Sequence, residues 1–292
     1  MIALAPLVPP GVGVGLIAAL LSGVAIAPPA DRPLRAETLA AAASVDRVVL
    51  EDGDWAGSLA GGSELTITGT GLAAVTGVRF GTAEAEVVDL ANGAITVRVP
   101  HADDWAAGSV AVIVEHDRGS QQAGSWTYRV ETAVDRQLEY AFRHWDDYNT
   151  AAFGDFNVWG GDCMNFVSQT LLARGWSFTE DWYNLAQEDW ADAFVHVPSF
   201  DAWLAAHPEH GATRYTLDEG RDLAKPGDVV VFDWDGDGSL DHAQVVSSIY
   251  GEGAETRIAM VGHNRDTTYR DLDGALFEQG THRAQAWIWS IP

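Results

Sequence analysis

Gly160-Gly161-Asp162-Cys163-Met164-Asn165-Phe166-Val167-Ser168-Gln169-Thr170-Leu171-Leu172 decides how the second half of this chain folds, and it holds the one cysteine among 292 residues. Apolar positions 163, 166, 167, 170 and 171, counting the Thr methyl, repeat at i, i+3, i+4, i+7 and i+8, the stripe of a helix facing a core. Two glycines and an Asp precede the stripe, so Cys163 falls in the first helical turn. A lone thiol has no internal disulfide partner, which leaves an inert packed residue, an intermolecular link or a reactive group. At a helix tip, unpaired N–H groups and the positive end of the dipole favour thiolate over thiol. The segment therefore predicts a lowered pKa and a nucleophilic sulfur. A buried structural cysteine closing a core stripe is the competing expectation.

Outward from this helix, 133–148 reads as an amphipathic helix with Val134, Leu138, Ala141, Phe142 and Trp145 on one side. A Trp-rich stretch follows the cysteine helix, with a short helix expected at 200–204. Strand patterns then dominate, at 228–232, 242–249, 256–261 and 284–289. Helices first and an antiparallel sheet afterwards is an α+β plan. A cysteine nucleophile needs a base that is near in space rather than in sequence. His242 is the candidate, because it opens a strand after a tight acidic loop and so stands on a rigid element. His263 ends the next strand pattern and is placed to orient the His242 ring if the two strands pair.

The acidic loop is Asp233-Trp234-Asp235-Gly236-Asp237-Gly238-Ser239-Leu240-Asp241. It fits the first nine positions of a calcium-binding EF-hand loop, with Asp233, Asp235, Asp237 and Asp241 as ligands, but Gln244 stands where the bidentate Glu belongs. A turn that uses Asp and Gly for its backbone conformation explains the same residues, and both expectations stand.

The region 57–130 differs in kind. Runs at 64–69, 75–81, 94–100, 109–114 and 125–130 alternate apolar and polar residues between Gly and Asn breaks, which predicts a small β-sandwich. His101 and His116 are isolated there and read as turn or surface residues. Residues 7–27 are apolar yet short for a membrane span, so 1–30 is expected to be a signal peptide or an anchor segment, followed by a linker over 31–55. That pattern puts the protein outside the cell or at its surface. The net charge of −25, from 42 acidic against 17 basic residues, repels phosphate backbones and anionic lipid and excludes nucleic acid and membrane surfaces as partners, the N-terminal anchor aside.

Two resemblances join these readings. Leu65-Thr66-Ile67-Thr68-Gly69-Thr70-Gly71-Leu72, Val78-Arg79-Phe80-Gly81 and Val97-Arg98-Val99-Pro100 resemble an immunoglobulin-like module of the IPT/TIG family, covering 56–130. Tyr148-Asn149, Gly161 through Gln169, the segment with Trp182 and Trp190, Lys225 through Trp234, Asp241-His242 and His263 resemble, in order, the amidase domain of bacterial surface proteins, a branch of the papain-like cysteine hydrolases, over 131–292. The resemblance implies an all-β module followed by an α+β domain in which a helix carrying Cys163 packs on an antiparallel sheet. It further implies Cys163 as nucleophile and His242 as base, with His263, or alternatively Asn264, as the orienting third residue. Met164 stands where the family often has Thr.

Acyl-transfer chemistry then predicts attack of the thiolate on an amide carbonyl and a thioester intermediate, with the Cys163 N–H as oxyanion donor and Asn157 as a further one. Gln169 is expected on the outward helix face. The chemistry requires no cofactor; calcium enters only as a structural ion on the acidic loop. The expected substrate is a peptide or peptidoglycan-type amide. A surface adhesin without turnover, and a transamidase that uses the same thioester, are the alternatives.

Overall fold

The computed structural model describes residues 48–49, 55–91, 93–251 and 253–292. The signal or anchor segment expected at 1–30 lies outside the described residues, as does the expected linker at 31–55 except positions 48, 49 and 55. Among the described residues, no helix is long and apolar enough to cross a membrane.

The N-terminal module is β-rich. One sheet has the order β1 (Val48–Val49), β3 (Glu64–Gly69), β7 (Ala94–Arg98), β6 (Glu86–Ala91); the other has β2 (Ala56–Ser58), β9 (Gly119–Arg129), β8 (Gly108–His116), β4 (Val75–Phe80), β5 (Ala83–Glu84). Successive strand side chains point to opposite faces. Leu65 and Ile67 of β3, Ile95 and Val97 of β7, Val78 and Phe80 of β4, and Val112 and Val114 of β8 are thereby buried in one core with Trp126. Strand β6 lacks this alternation, is exposed along its whole length and lies at a sheet edge, which is why periodicity does not reveal it.

The C-terminal domain is α+β. Helices α1 (Ala133–His144), α2 (Thr150–Phe153) and α3 (Cys163–Arg174) come first, then a small hairpin of β10 (Asn184–Leu185) and β11 (Asp189–Trp190), and α4 (Asp192–Val195) and α5 (Val197–Ala206). A six-stranded antiparallel sheet follows, in the order β12 (Thr213–Thr216), β17 (Gln285–Ser290), β13 (Val229–Asp233), β14 (His242–Tyr250), β15 (Arg257–Gly262), β16 (Thr267–Asp271). Short helix α6 (Leu217–Gly220) and helix α7 (Leu272–Gln279) fall within this run of strands; α7, β12 and β16 are absent from the expectation of strands alone.

Each face of the sheet has its own core. Val229, Val231, Ala243, Val245 and Val261 join the core that holds Cys163, Met164, Phe166 and Val167 of α3, whereas Val230, Phe232, Val246, Ile258 and Met260 pack with Leu272 and Ala275 of α7. With both faces covered, β13 is buried at every residue and shows no alternation.

The module and the domain are joined through polar groups. Asp135, in the first turn of α1, is fully buried and completes a capping box with Thr132. Its Oδ1 accepts from the Ser58 hydroxyl (2.7 Å) and the Ala60 N–H (2.9 Å), and its Oδ2 from the N–H groups of Glu131 and Thr132 (2.9 Å each). Trp105 Nε1 donates to the Ser247 carbonyl (3.1 Å), and His101, half-buried rather than on the surface, stacks on Trp105 and lies 3.2 Å from the Ser248 hydroxyl.

Burial alone would raise the Asp135 carboxyl, but the N–H groups of Glu131 and Thr132, the Ser58 hydroxyl and the Ala60 N–H outweigh it and hold the group below its usual value. Stability from this contact is therefore present above the carboxylate range and lost as pH falls through it. Asp135→Ala strands four donors and is expected to cost about 2–4 kcal/mol. Urea unfolding checks this, with the single transition of the wild type separating into two as the module uncouples.

Candidate active site

Helix α3 starts at Cys163, with Asp162 as the residue that precedes its first turn and the Asp162 carbonyl accepting the first helical bond from Phe166 N (2.9 Å). The apolar stripe is buried as its spacing requires, but so is nearly every other side of the helix. Gln169 does not face outward: it is buried and its Oε1 accepts from the Tyr140 hydroxyl (2.7 Å).

The helix tip is held from the end of β15. Asn264, in the turn after β15 at φ 68°, turns its Oδ1 to the backbone N–H groups of Asp162 (2.7 Å) and Cys163 (2.8 Å). The approach needs Gly161 at φ 153°, because a Cβ there would sit 3.0 Å from that same oxygen. The Asn264 amide nitrogen in turn donates to Asn157 Oδ1. The Cys163 N–H, expected as an oxyanion donor, is therefore engaged by Asn264 in this state, and Asn157, the other expected donor, meets Asn264 through its oxygen.

His263 does not orient His242. Its Nδ1 lies 2.7 Å from Asp162 Oδ2 and its Nε2 2.7 Å from the His144 carbonyl, and the ring is sandwiched between Tyr148 (3.5 Å between centroids) and Phe166 (4.1 Å). Both ring nitrogens are thus engaged away from His242. Asp162 Oδ1 accepts from Phe156 N and Asn165 Nδ2 (2.9 Å each). His263 and Asn264, each a candidate third residue, instead brace the cysteine helix, because the end of β15 meets the helix tip.

The sulfur of Cys163 accepts from the backbone N–H groups of Ala243 and Met164. Ala243 is the chain neighbour of His242, so it is the backbone at the start of β14 that meets the sulfur. Pairing of Phe232 with His242 turns the ring to the α7 side of the sheet, where it lies 6.0 Å from the Phe232 ring and 5.9 Å from that of Trp234. Among the described residues neither ring nitrogen makes a hydrogen bond, to the sulfur or to any other group, and Nε2 is buried.

Electrostatics reverses the expected thiolate. Burial pushes the Cys163 thiol up to about 11, against the N–H groups of Ala243 and Met164, and the Asp162 carboxylate adds to the rise. Desolvation of the charged form outweighs the helix-tip field here. Burial likewise, with Arg270 nearby, pushes the His242 imidazole down to about 3. At rest the thiol is neutral on the α3 side of the sheet and the imidazole is neutral on its α7 side.

In the acidic loop, Asp233, Asp235 and Asp237 bring carboxylate oxygens within 4.8 Å of one another. Asp241 is not among them: its Oδ2 accepts from Trp234 N (2.7 Å). Asp233, buried, accepts from Gly236 N (2.7 Å) and Gly238 N (2.9 Å), which is the work of a turn residue.

Comparison with known proteins adds family matches. A family model described as "Putative amidase domain" matches residues 127–289, and the IPT/TIG domain model matches residues 54–128. The Bacillus subtilis (strain 168) protein YhbB, itself uncharacterized, is 26% identical over 115 residues, which cover 37% of this chain and 35% of YhbB. Among solved structures, the Bacteroides ovatus mixed-linkage glucan utilization locus protein SGBP-B, in complex with a mixed-linkage heptasaccharide, aligns with 83% of this chain and 51% of its own at 9% identity and a TM-score of 0.23. The chain thus spans about a third of the length of YhbB.

Two outcomes follow from the site. Because the folded thiol holds its proton beyond the value of 9.0 for a free thiol, stability is present below about pH 9 and falls as pH rises through about 11, by about 2–3 kcal/mol. Burial also raises tyrosines such as Tyr140, which lose stability over the same window in both proteins, so denaturation curves should show a fall that is steeper in the wild type than in Cys163→Ala. Asp233→Ala is expected to cost about 1–3 kcal/mol in chelator as in calcium, since the bonds it removes go to backbone, and thermal melts in both conditions check it.

Proposed function

The chain belongs to the "Putative amidase domain" family, whose model spans its residues 127–289, and from that premise we propose a hydrolase of amides, a cysteine-dependent amidase or peptidase with a papain-like arrangement, acting outside the cell on cell-wall peptide. The observation that carries the mechanism is the sulfur of Cys163 at a helix tip, bonded to the N–H of Ala243, the chain neighbour of His242; the unpartnered His242 ring rests on the α7 side of the sheet, so the proton transfer requires it to swing to the sulfur.

Cys163 gives its proton to His242 as the sulfur attacks the amide carbonyl, the carbon–nitrogen bond breaks, and the imidazolium hands the proton to the departing amine. Water then attacks the thioester while His242 takes its proton, and the thiol is restored as the acid leaves. The resting thiol and imidazole are both neutral, so substrate entry has to favour the proton transfer. Asn264 supports the location of the oxyanion site, since its amide oxygen rests on the Cys163 N–H where a scissile carbonyl would lie. A substrate displaces that side chain. The route needs no cofactor; a calcium ion on Asp233, Asp235 and Asp237 would act by stiffening the loop that leads to His242. The cell-wall choice draws on the apolar N-terminal segment and on the β module as a spacer toward an insoluble substrate.

A binding protein without turnover is the second reading, favoured by the missing hydrogen bond between Cys163 and His242 and by the engaged Cys163 N–H. Digestion of purified cell wall with mass analysis of the released fragments separates the two. Wild type is expected to release fragments, while Cys163→Ala and His242→Ala, still folded, lose turnover by about 10³-fold or more and not additively. Wall binding with no release by the wild type would support the binding protein. An added amine appearing in the product would identify a transamidase.

A further inference from the structure

The α7 side of the sheet holds a set of polar groups that nothing in the fold satisfies. Both terminal guanidinium nitrogens of Arg270 on β16 are buried without a hydrogen-bond partner among the described residues. So are the amide nitrogen and oxygen of Gln244 and the Nε2 of His242, residues that are 0% and 7% exposed. Buried polar groups are ordinarily paired, so five such atoms in one place call for a missing partner.

They form one cluster. His242 and Gln244 are two residues apart on β14 and share a face. Strand β15 lies between β14 and β16, and across it the Arg270 guanidinium reaches to 5.9 Å from the Trp234 ring, itself 5.9 Å from the His242 ring. At the crossing β15 carries Gly262, where a Cβ would stand 2.9 Å from Gln244 Cγ and 3.0 Å from its amide nitrogen. Gln244 therefore packs directly on the β15 backbone there.

Charge says what would fill it. The chain has 42 acidic residues against 17 basic ones, so carboxylates are its most abundant partners, yet among the described residues none pairs with this guanidinium. Glu278, the acid that acts on Arg270, is held by Arg265 at 3.1 Å. The planar guanidinium matches the two oxygens of a carboxylate. Gln244 adds one more donor, and its oxygen remains to accept an N–H from the same ligand.

We propose that Arg270, Gln244 and His242 receive the C-terminal residue of a peptide, the free carboxylate on the guanidinium and the residue's own N–H on the Gln244 oxygen. The site itself stands on these unpaired groups; that it selects the amidase's substrate rests on the function proposed above, through His242, whose chain neighbour Ala243 meets the sulfur. The enzyme would then act near a free peptide C-terminus.

The test uses binding, so it does not depend on turnover. Full-length protein carrying Cys163→Ala is titrated calorimetrically with acetyl-Ala-Ala and with its C-terminal amide. The free acid is expected to bind at least about tenfold tighter, and Arg270→Gln, checked for folding by its melting curve, to erase the difference while Arg270→Lys keeps part of it. Equal binding of acid and amide, no binding of the acid, or a preference that survives Arg270→Gln overturns the proposal. If Arg270→Gln fails to fold, the acid–amide comparison decides alone. A wild type that binds the acid but hydrolyses nothing would leave this site standing and refute the amidase.

Discussion

The attachment of β15's end to the tip of the cysteine helix is the constraint on which the rest of the C-terminal domain depends. A buried carboxylate, Asp162, is shared between a backbone N–H, a side-chain amide and the ring of His263, while Asn264 caps the first N–H groups of the helix. The unpaired donors of a helix N-terminus and a buried charge would each be costly alone. Together they satisfy one another, and the helix is docked on the sheet in one orientation. The place of the sulfur against Ala243 follows from that docking.

The same docking sets the chemistry of the resting site. Covering both faces of the sheet removes water from Cys163 and His242, and desolvation penalises thiolate and imidazolium alike. A helix tip in water would favour the thiolate; a helix tip packed against a strand does not. Both partners are therefore neutral and hold the proton that catalysis would move between them.

The β module is fastened to the domain by specific polar contacts as well as by a shared apolar core. Asp135 spends its two oxygens on the module, on the entering chain and on its own helix, and Trp105 and His101 reach strand β14 at Ser247 and Ser248. Strand β14 thus carries the module's contact at one end and His242 at the other. Any spacer role for the module places it in fixed register with the site.

Residue types and periods were enough to determine much of this protein. The i, i+3, i+4 stripe announced the cysteine helix and put Cys163 at its start; alternation in the first region announced a β module; and His242 at the head of a strand was legible from the turn residues before it. These are local properties, since side-chain period and turn chemistry act within a few residues. What Asn264 and His263 do was not legible, because it depends on which strand end meets which helix tip, a contact across about a hundred residues. The neutral state of Cys163 and the unpaired cluster of Arg270, Gln244 and His242 were hidden for the same reason: pKa and hydrogen-bond satisfaction follow from burial and from neighbours in space, which only the tertiary structure decides.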